Sequence, residues 1–310
     1  MSQPDEFVAW LLAAALPTTR YLTLTRLLGL PADDPQVQNA QADLMQTGPV
    51  ATILAAQTES GAWPNESSYY TPKYVSTHWS LQLLTLLGVD GAAPGFRRGV
   101  QFMLEDTGPA FVRGRQKNSL DLACLWGNIL RYTAHAALHD DPRAQAITDR
   151  LVRSVAHGGC RCVYNSGLGC AWGVARALWG LAGIPAGQRS PAIQNAIASG
   201  VDFLTTQFSL VEANYPVPPD GKIHSLWHRL NFPLFYQVDI LFVLQLLAEL
   251  GALDRPEAQR ALDWLRQKRR PDGRWRGSSP YRQRTWAFPG DRSEIDRWVS
   301  LQAALLLRSS

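Results

Sequence analysis

Residues 157–173 read HGGCRCVYNSGLGCAWG and hold three of the chain's four cysteines, Cys160, Cys162 and Cys170, within eleven positions. The fourth, Cys124, opens CLWG, which matches CAWG at Cys170. Clustered thiolates can bind zinc if a fourth ligand, or an open position for water or substrate, completes the tetrahedron. The donors available to complete such a site are His228 and His224 in IHSLWHRLNF, His78 in STHWSL, and Asp239. A closed set of Cys124, Cys162, Cys170 and His228 would brace the structure, whereas a site with an open position could activate a substrate thiol. Without metal, the same cysteines are small buried hydrophobes, and Cys160 fits that role best.

Three acids open apolar segments: Asp121 in NSLDLACLW, Asp239 in FYQVDILF and Asp296 in EIDRW. Burial disfavours an ionised carboxylate, so an acid in an apolar cavity can keep a proton and deliver it to a substrate. Asp239 is the candidate acid, with Tyr236 and Asp121 as helpers. The alternative for all three acids is capping of a helix N-terminus. Trp79, Trp126, Trp172, Tyr236 and Trp298 recur at the same kind of position, with His78 beside Trp79. Their rings could line a substrate site or face a cation, and the same recurrence also serves packing.

The elements that must position these residues follow from a long-period pattern. Pro35, Pro94, Pro142, Pro191 and Pro256 each open an amphipathic segment, 48 to 65 residues apart. Proline suits a first helical turn because the N–H it lacks would have no intrahelical partner there. Apolar helices upstream close at Gly29, Gly88, Gly183 and Gly251, where a left-handed glycine can end a helix. The unit is an apolar helix, a glycine stop, a proline start and an amphipathic helix, five or six times over, with no convincing strand alternation. Helices apolar all round belong to an inner layer, and helices charged on one face to an outer layer. The expected fold is all-α, an α/α toroid of five to six helical hairpins spanning 1–310 as one domain, with 1–44 packing on the ring. An open solenoid is the alternative.

A length of 310 residues with 46% hydrophobic side chains allows a large buried core. Four cysteines do not make a disulfide framework, and FVAWLLAAAL at 7–16 follows Asp5 and Glu6 rather than basic residues, so a cytoplasmic protein is expected. The net charge of +4 is spread along the chain and does not argue for nucleic acid. The run RQKRRPDGRWR at 266–276 reads as a solvated helix end and turn, or as a patch that could touch a membrane surface. No phosphate loop or dinucleotide fingerprint is present, so no nucleotide cofactor is expected.

ILAAQTESGAW, GVDFLTTQ and ALDWLRQKRRPDGRW resemble the QW repeats of squalene and hopene cyclases and the related repeats of protein prenyltransferase β-subunits. Gln57, Gly61 and Trp63 keep the family's order, but no glutamine precedes Gly273 at the matching distance. The resemblance implies an α/α toroid with a central cavity, lined by inner-helix N-termini, that accepts an isoprenoid or other apolar substrate. The cyclases' Asp-x-Asp-Asp acid motif is absent, and Asp239 is its nearest positional counterpart. Prenyltransferase β-subunits and lanthionine cyclases also hold zinc at one end of a helical ring, and CAWG is similar to a lanthionine-cyclase motif. Three readings follow: a terpene-cyclase-like or prenyltransferase-like enzyme, a zinc-bearing toroid, and a non-catalytic lipid- or protein-binding toroid.

Overall fold

The computed structural model describes residues 6–112, 122–156 and 159–308. Its helices are α1 (Glu6–Leu12), α2 (Pro17–Leu22), α3 (Pro35–Gln46), α4 (Gly48–Ala55), α5 (Thr77–Leu86), α6 (Pro94–Val112) and α7 (Ala123–His135). They continue with α8 (Pro142–Val155), α9 (Ala171–Ala182), α10 (Pro191–Asp202), α11 (Ile240–Glu249), α12 (Pro256–Gln267) and α13 (Ser293–Arg308). Among the described residues only two isolated β-bridges occur. The fold is an α/α toroid.

All five marker prolines open a helix, namely α3, α6, α8, α10 and α12. Side chains complete several of these starts: Asp34 accepts from Gln36 N, Asp141 from Arg143 N and Ser190 from Ile193 N, each satisfying an N–H that the helix cannot. These helices form the outer layer, and α5, α7, α9, α11 and α13 pack side by side inside it. Closure comes from α1 and α2, which pack against α13, while the Thr18 hydroxyl of α2 donates to Leu87 O beyond α5. Gly29, Gly88 and Gly251 end their helices with positive φ, as expected. Gly183 does not, since its φ is −65°. A Cβ there would lie 3.0 Å from the Ala134 methyl, so close approach to α7, rather than a left-handed stop, favours glycine.

The tryptophan turns are built alike. Trp63 donates its indole N–H to Ile53 O, and Trp275 donates its own to Leu265 O. Their backbone N–H groups go to the Thr77 and Ser300 hydroxyls of the next inner helices. Gln57 Nε2 donates to Gly61 O, and Arg269 Nε makes the same bond to Gly273 O. The basic run is thus a helix end and turn whose cations have local partners, including Arg266 with Asp263 and Arg270 with Asp272.

Two features position the site. The first is the crossing of α7 and α9, where a Cβ on Gly127 would sit 2.1 Å from Arg176 O and one on Gly180 would sit 2.5 Å from Gly127 O. The helix backbones touch there, which fixes Arg176 at the crossing. The second is the segment 230–239, which has no regular structure yet is almost wholly buried. Buried backbone polar groups need partners, and three inner helices supply them. Gln82 of α5 donates to Phe235 O, Asn128 of α7 donates to Gln82, and Arg176 of α9 donates to Gln237 O. The segment therefore plugs the middle of the ring and divides it into two ends. Among the described residues no helix is long and apolar enough to cross a membrane.

Candidate functional site

One end holds a cavity of about 720 Å³, within the usual size range of small-molecule sites. The middle and C-terminal turns of α5, α7, α9 and α13 line it, and of the inner-helix N-termini expected from the resemblance only that of α11 does, through Asp239, Leu241 and Phe242. Trp179, Phe242, Trp298 and Phe232 form its aromatic wall, and Trp298 stacks on Phe232 at a 4.0 Å centroid distance. Arg131, paired with Glu249 at 2.6 Å, stands with His135 and the exposed Arg26 toward the outside. The two most deeply buried charged groups lining it are Asp239, 1% exposed, and Arg176, 0% exposed.

Asp239 precedes α11 and accepts from Phe242 N at 2.8 Å on Oδ1. Its Oδ2 accepts from Asn231 N at 2.8 Å and Asn231 Nδ2 at 2.7 Å. The carboxylate therefore caps a helix and ties the two ends of the plug together. Burial pushes its pKa up to about 6, against the pull of these donors and of the Arg176 charge. A carboxylate has about four lone-pair sites; with three filled, the remaining one is on Oδ1. Arg176 donates from Nη2 to Gln237 O at 2.5 Å, while its Nε and Nη1 have no hydrogen-bond partner. Its guanidinium lies 4.1 Å from the Phe242 ring centroid and 5.2 Å from that of Trp179. Burial lowers its pKa to about 9, so it remains charged at neutral pH.

The other end gathers most of the remaining candidates. Tyr236, expected beside Asp239, does not line the cavity; it lies among Trp79, Trp172 and Lys73, with ring centroids 6.1 Å from each tryptophan. Burial raises its phenol to about 12. His78 is fully buried, with Nδ1 3.3 Å from the Tyr132 hydroxyl, and burial drops its pKa to about 3. Trp79 is buried and donates to Tyr70 O. Trp172 packs on His224, and Trp126 lies under Arg150. Of the expected aromatics only Trp298 lines the cavity. Asp121 lies outside the described residues.

The thiols do not form a metal centre among the described residues, where no group of three or more His, Cys, Asp or Glu side chains could hold an ion. His228, the fourth ligand expected, instead pairs its Nε2 with Val211 O at 2.8 Å and packs near Trp264. Cys170 starts α9 and accepts from Gly173 N at 3.4 Å, while a hydrogen bond with Cys162, reinforced by burial, raises its pKa well above the ordinary value. Cys124 is pushed up to about 11 by burial and by its neighbour Cys162. All four cysteines are free of disulfides. These residues do not fit zinc, and the raised pKa values keep the Cys124 and Cys170 thiols neutral. Cys160, in the slot tryptophan fills elsewhere, packs against Gly173, where a Cβ would lie 2.6 Å from its sulfur.

Sequence reasoning missed Arg176, Gln82 and Asn128. Arg176 is a lone charged residue inside the otherwise apolar AWGVARALWG, and such a residue is almost never fully buried without a specific partner, whereas Gln82 and Asn128 share their helices with other polar residues and carry no such signal.

No family model and no curated protein matches the chain. Among solved structures, the chain is similar to a type II terpene cyclase from Scytonema in complex with geranylgeranyl dihydroxybenzoate. The identity is 14%, the match covers 87% of this chain and 97% of that one, and the TM-score is 0.32.

Proposed function

We propose that the ring takes an isoprenoid or similarly apolar substrate into the cavity beside α11 and acts on it in the manner of a terpene cyclase, with Asp239 as the acid. The observation that carries this reading is a carboxyl group that is 1% exposed, lines a cavity walled by aromatic rings and has a pKa near 6. An acid whose pKa lies near the working pH has both forms available. The proton sits at the free site on Oδ1. On transfer to a substrate alkene the O–H bond breaks, a C–H bond forms, and the positive charge appears on carbon, facing the rings of Phe242 and Trp298. Loss of a proton from the carbocation ends the sequence and leaves no net change in protons.

The test is Asp239→Asn incubated with polyprenyl alcohols and acids, with products read by mass spectrometry. Removing a general acid is expected to lower turnover by roughly 10²- to 10⁴-fold. Unchanged turnover by an active enzyme would remove Asp239 from the mechanism. The second reading, a non-catalytic toroid that only binds an apolar ligand, is favoured by the three N–H groups that Asp239 satisfies. Saturable polyprenol binding with no product from the unaltered protein would establish that reading instead.

A further inference from the structure

Arg176 is more than a support for the plug. One hydrogen bond to Gln237 O uses Nη2, yet Nε and Nη1 are buried without an acceptor. Among the described residues no carboxylate forms an ion pair with it, because Asp239 has turned its oxygens toward Asn231 and Phe242. A buried charge without a partner is costly, and a guanidinium with unsatisfied N–H groups at a cavity wall is a site built for an acceptor. The surrounding wall of Phe242, Trp179 and Trp298 is apolar and aromatic. The ligand that meets both demands has an apolar body and an anionic head.

The size of that head charge can also be read. Among the described residues lining the cavity, Arg176 is the one fully buried cation, and Asp239 is within electrostatic reach of it. A multiply charged diphosphate would meet the Asp239 carboxylate with only one buried cation to offset it, whereas a single carboxylate matches one guanidinium. We propose that Arg176 anchors the carboxylate head of a monoanionic prenyl or similarly apolar acid, which enters the cavity with its head toward the plug. This deepens the function proposed above and rests on it. It also removes an obstacle to that chemistry, since an uncompensated guanidinium would raise the energy of a nearby carbocation and a bound carboxylate cancels its charge.

The experiment compares three ligands with one tail, farnesoic acid, farnesol and farnesyl diphosphate, by titration calorimetry on the full chain at neutral pH. Farnesoic acid is expected to bind roughly ten- to a hundred-fold more tightly than farnesol, the range for hydrogen bonds to a charged group. Arg176→Gln should abolish that preference while farnesol still binds, and retained farnesol binding shows that the variant is folded. Should the variant not fold, the head-group comparison in the unaltered protein decides alone. Equal binding of acid and alcohol, a preference for the diphosphate, or a preference that survives Arg176→Gln overturns the anchor. If farnesol binds but the acid binds no better, the apolar-cavity reading stands without the anchor; if none of the three binds, both fall.

Discussion

The two ends of the ring are built from the same inner helices and separated by the same plug, but they treat buried ionisable groups in opposite ways. The thiol end holds His78 and Cys124. His78 is held near 3 and Cys124 near 11, so both are neutral over the physiological range. At the cavity end, space remains, and Arg176 and Asp239 stay within reach of their charged forms, near 9 and 6. His78, Arg176 and Asp239 are all fully buried, so burial alone does not separate the ends. The difference lies in the plug, whose carbonyl at Gln237 accepts from Arg176 and whose N–H groups at Asn231 donate to Asp239. Charge persists where backbone dipoles support it, and that is where chemistry is possible.

The contrast is most exposed at Asp239. Asp239→Ala leaves three N–H groups without an acceptor and is expected to cost about 3–5 kcal/mol, since each orphaned buried donor costs about 1–3 kcal/mol. Cys124→Ala, which removes one neutral, half-buried group, should cost about 1 kcal/mol. Urea denaturation compares them, and equal costs would erase the distinction between the ends. Next in size, Gly127→Ala forces the α7–α9 crossing apart and should cost about 2–3 kcal/mol. Because Arg176 O is the atom it strikes, this variant should also weaken binding of a carboxylate ligand, whereas a substitution at the exposed Leu28 should do neither.

Smaller effects come from pH, and their signs differ between the ends. Unfolded His78 takes a proton below about 6.5, and the folded one only near 3, so its contribution to stability is lost as pH falls through that window. Asp239 ionises near 3.8 when unfolded and near 6 when folded, so its contribution falls as pH rises from about 4 to 6. Each slope approaches about 1.4 kcal/mol per pH unit, and between pH 4 and 6 they oppose each other. His78→Gln should therefore leave a protein whose stability declines from pH 4 to 6, and Asp239→Asn one whose stability climbs over that range. The same slope in both variants would contradict the assignment. The smallest effect is on reactivity: Cys124 and Cys170 should alkylate far more slowly in the folded protein at pH 7.5 than after unfolding, because the thiolate is the reactive form. Rapid native labelling of either would show that the thiol end is not closed.

Much of the architecture was legible because its markers act locally. Pro142 and Asp141 start and cap a helix using atoms within three residues, and Trp63 and Trp275 make the same bonds from the same turn. The site was legible only in part. Asp239 is recognisable as an acid at the head of an apolar helix, but the cavity beside it is lined mainly by the middle and C-terminal turns of the other inner helices, and most of the expected aromatic collar lies away from it. Tyr236 stands three residues from Asp239, yet the extended plug turns it to the opposite end of the ring. The significance of Arg176 depends on which groups fail to meet it, a fact of tertiary packing that no local spacing encodes.

A diazirine-bearing polyprenyl alcohol, photoactivated in the bound state and mapped by peptide sequencing, tests the central claim most directly. Adducts within 240–249 and 298–306, competed away by excess unlabelled alcohol, are the result expected of a substrate cavity at the Asp239 end. Competable adducts confined to 69–79 and 160–172 would place the ligand among the thiols and aromatics instead and contradict the account.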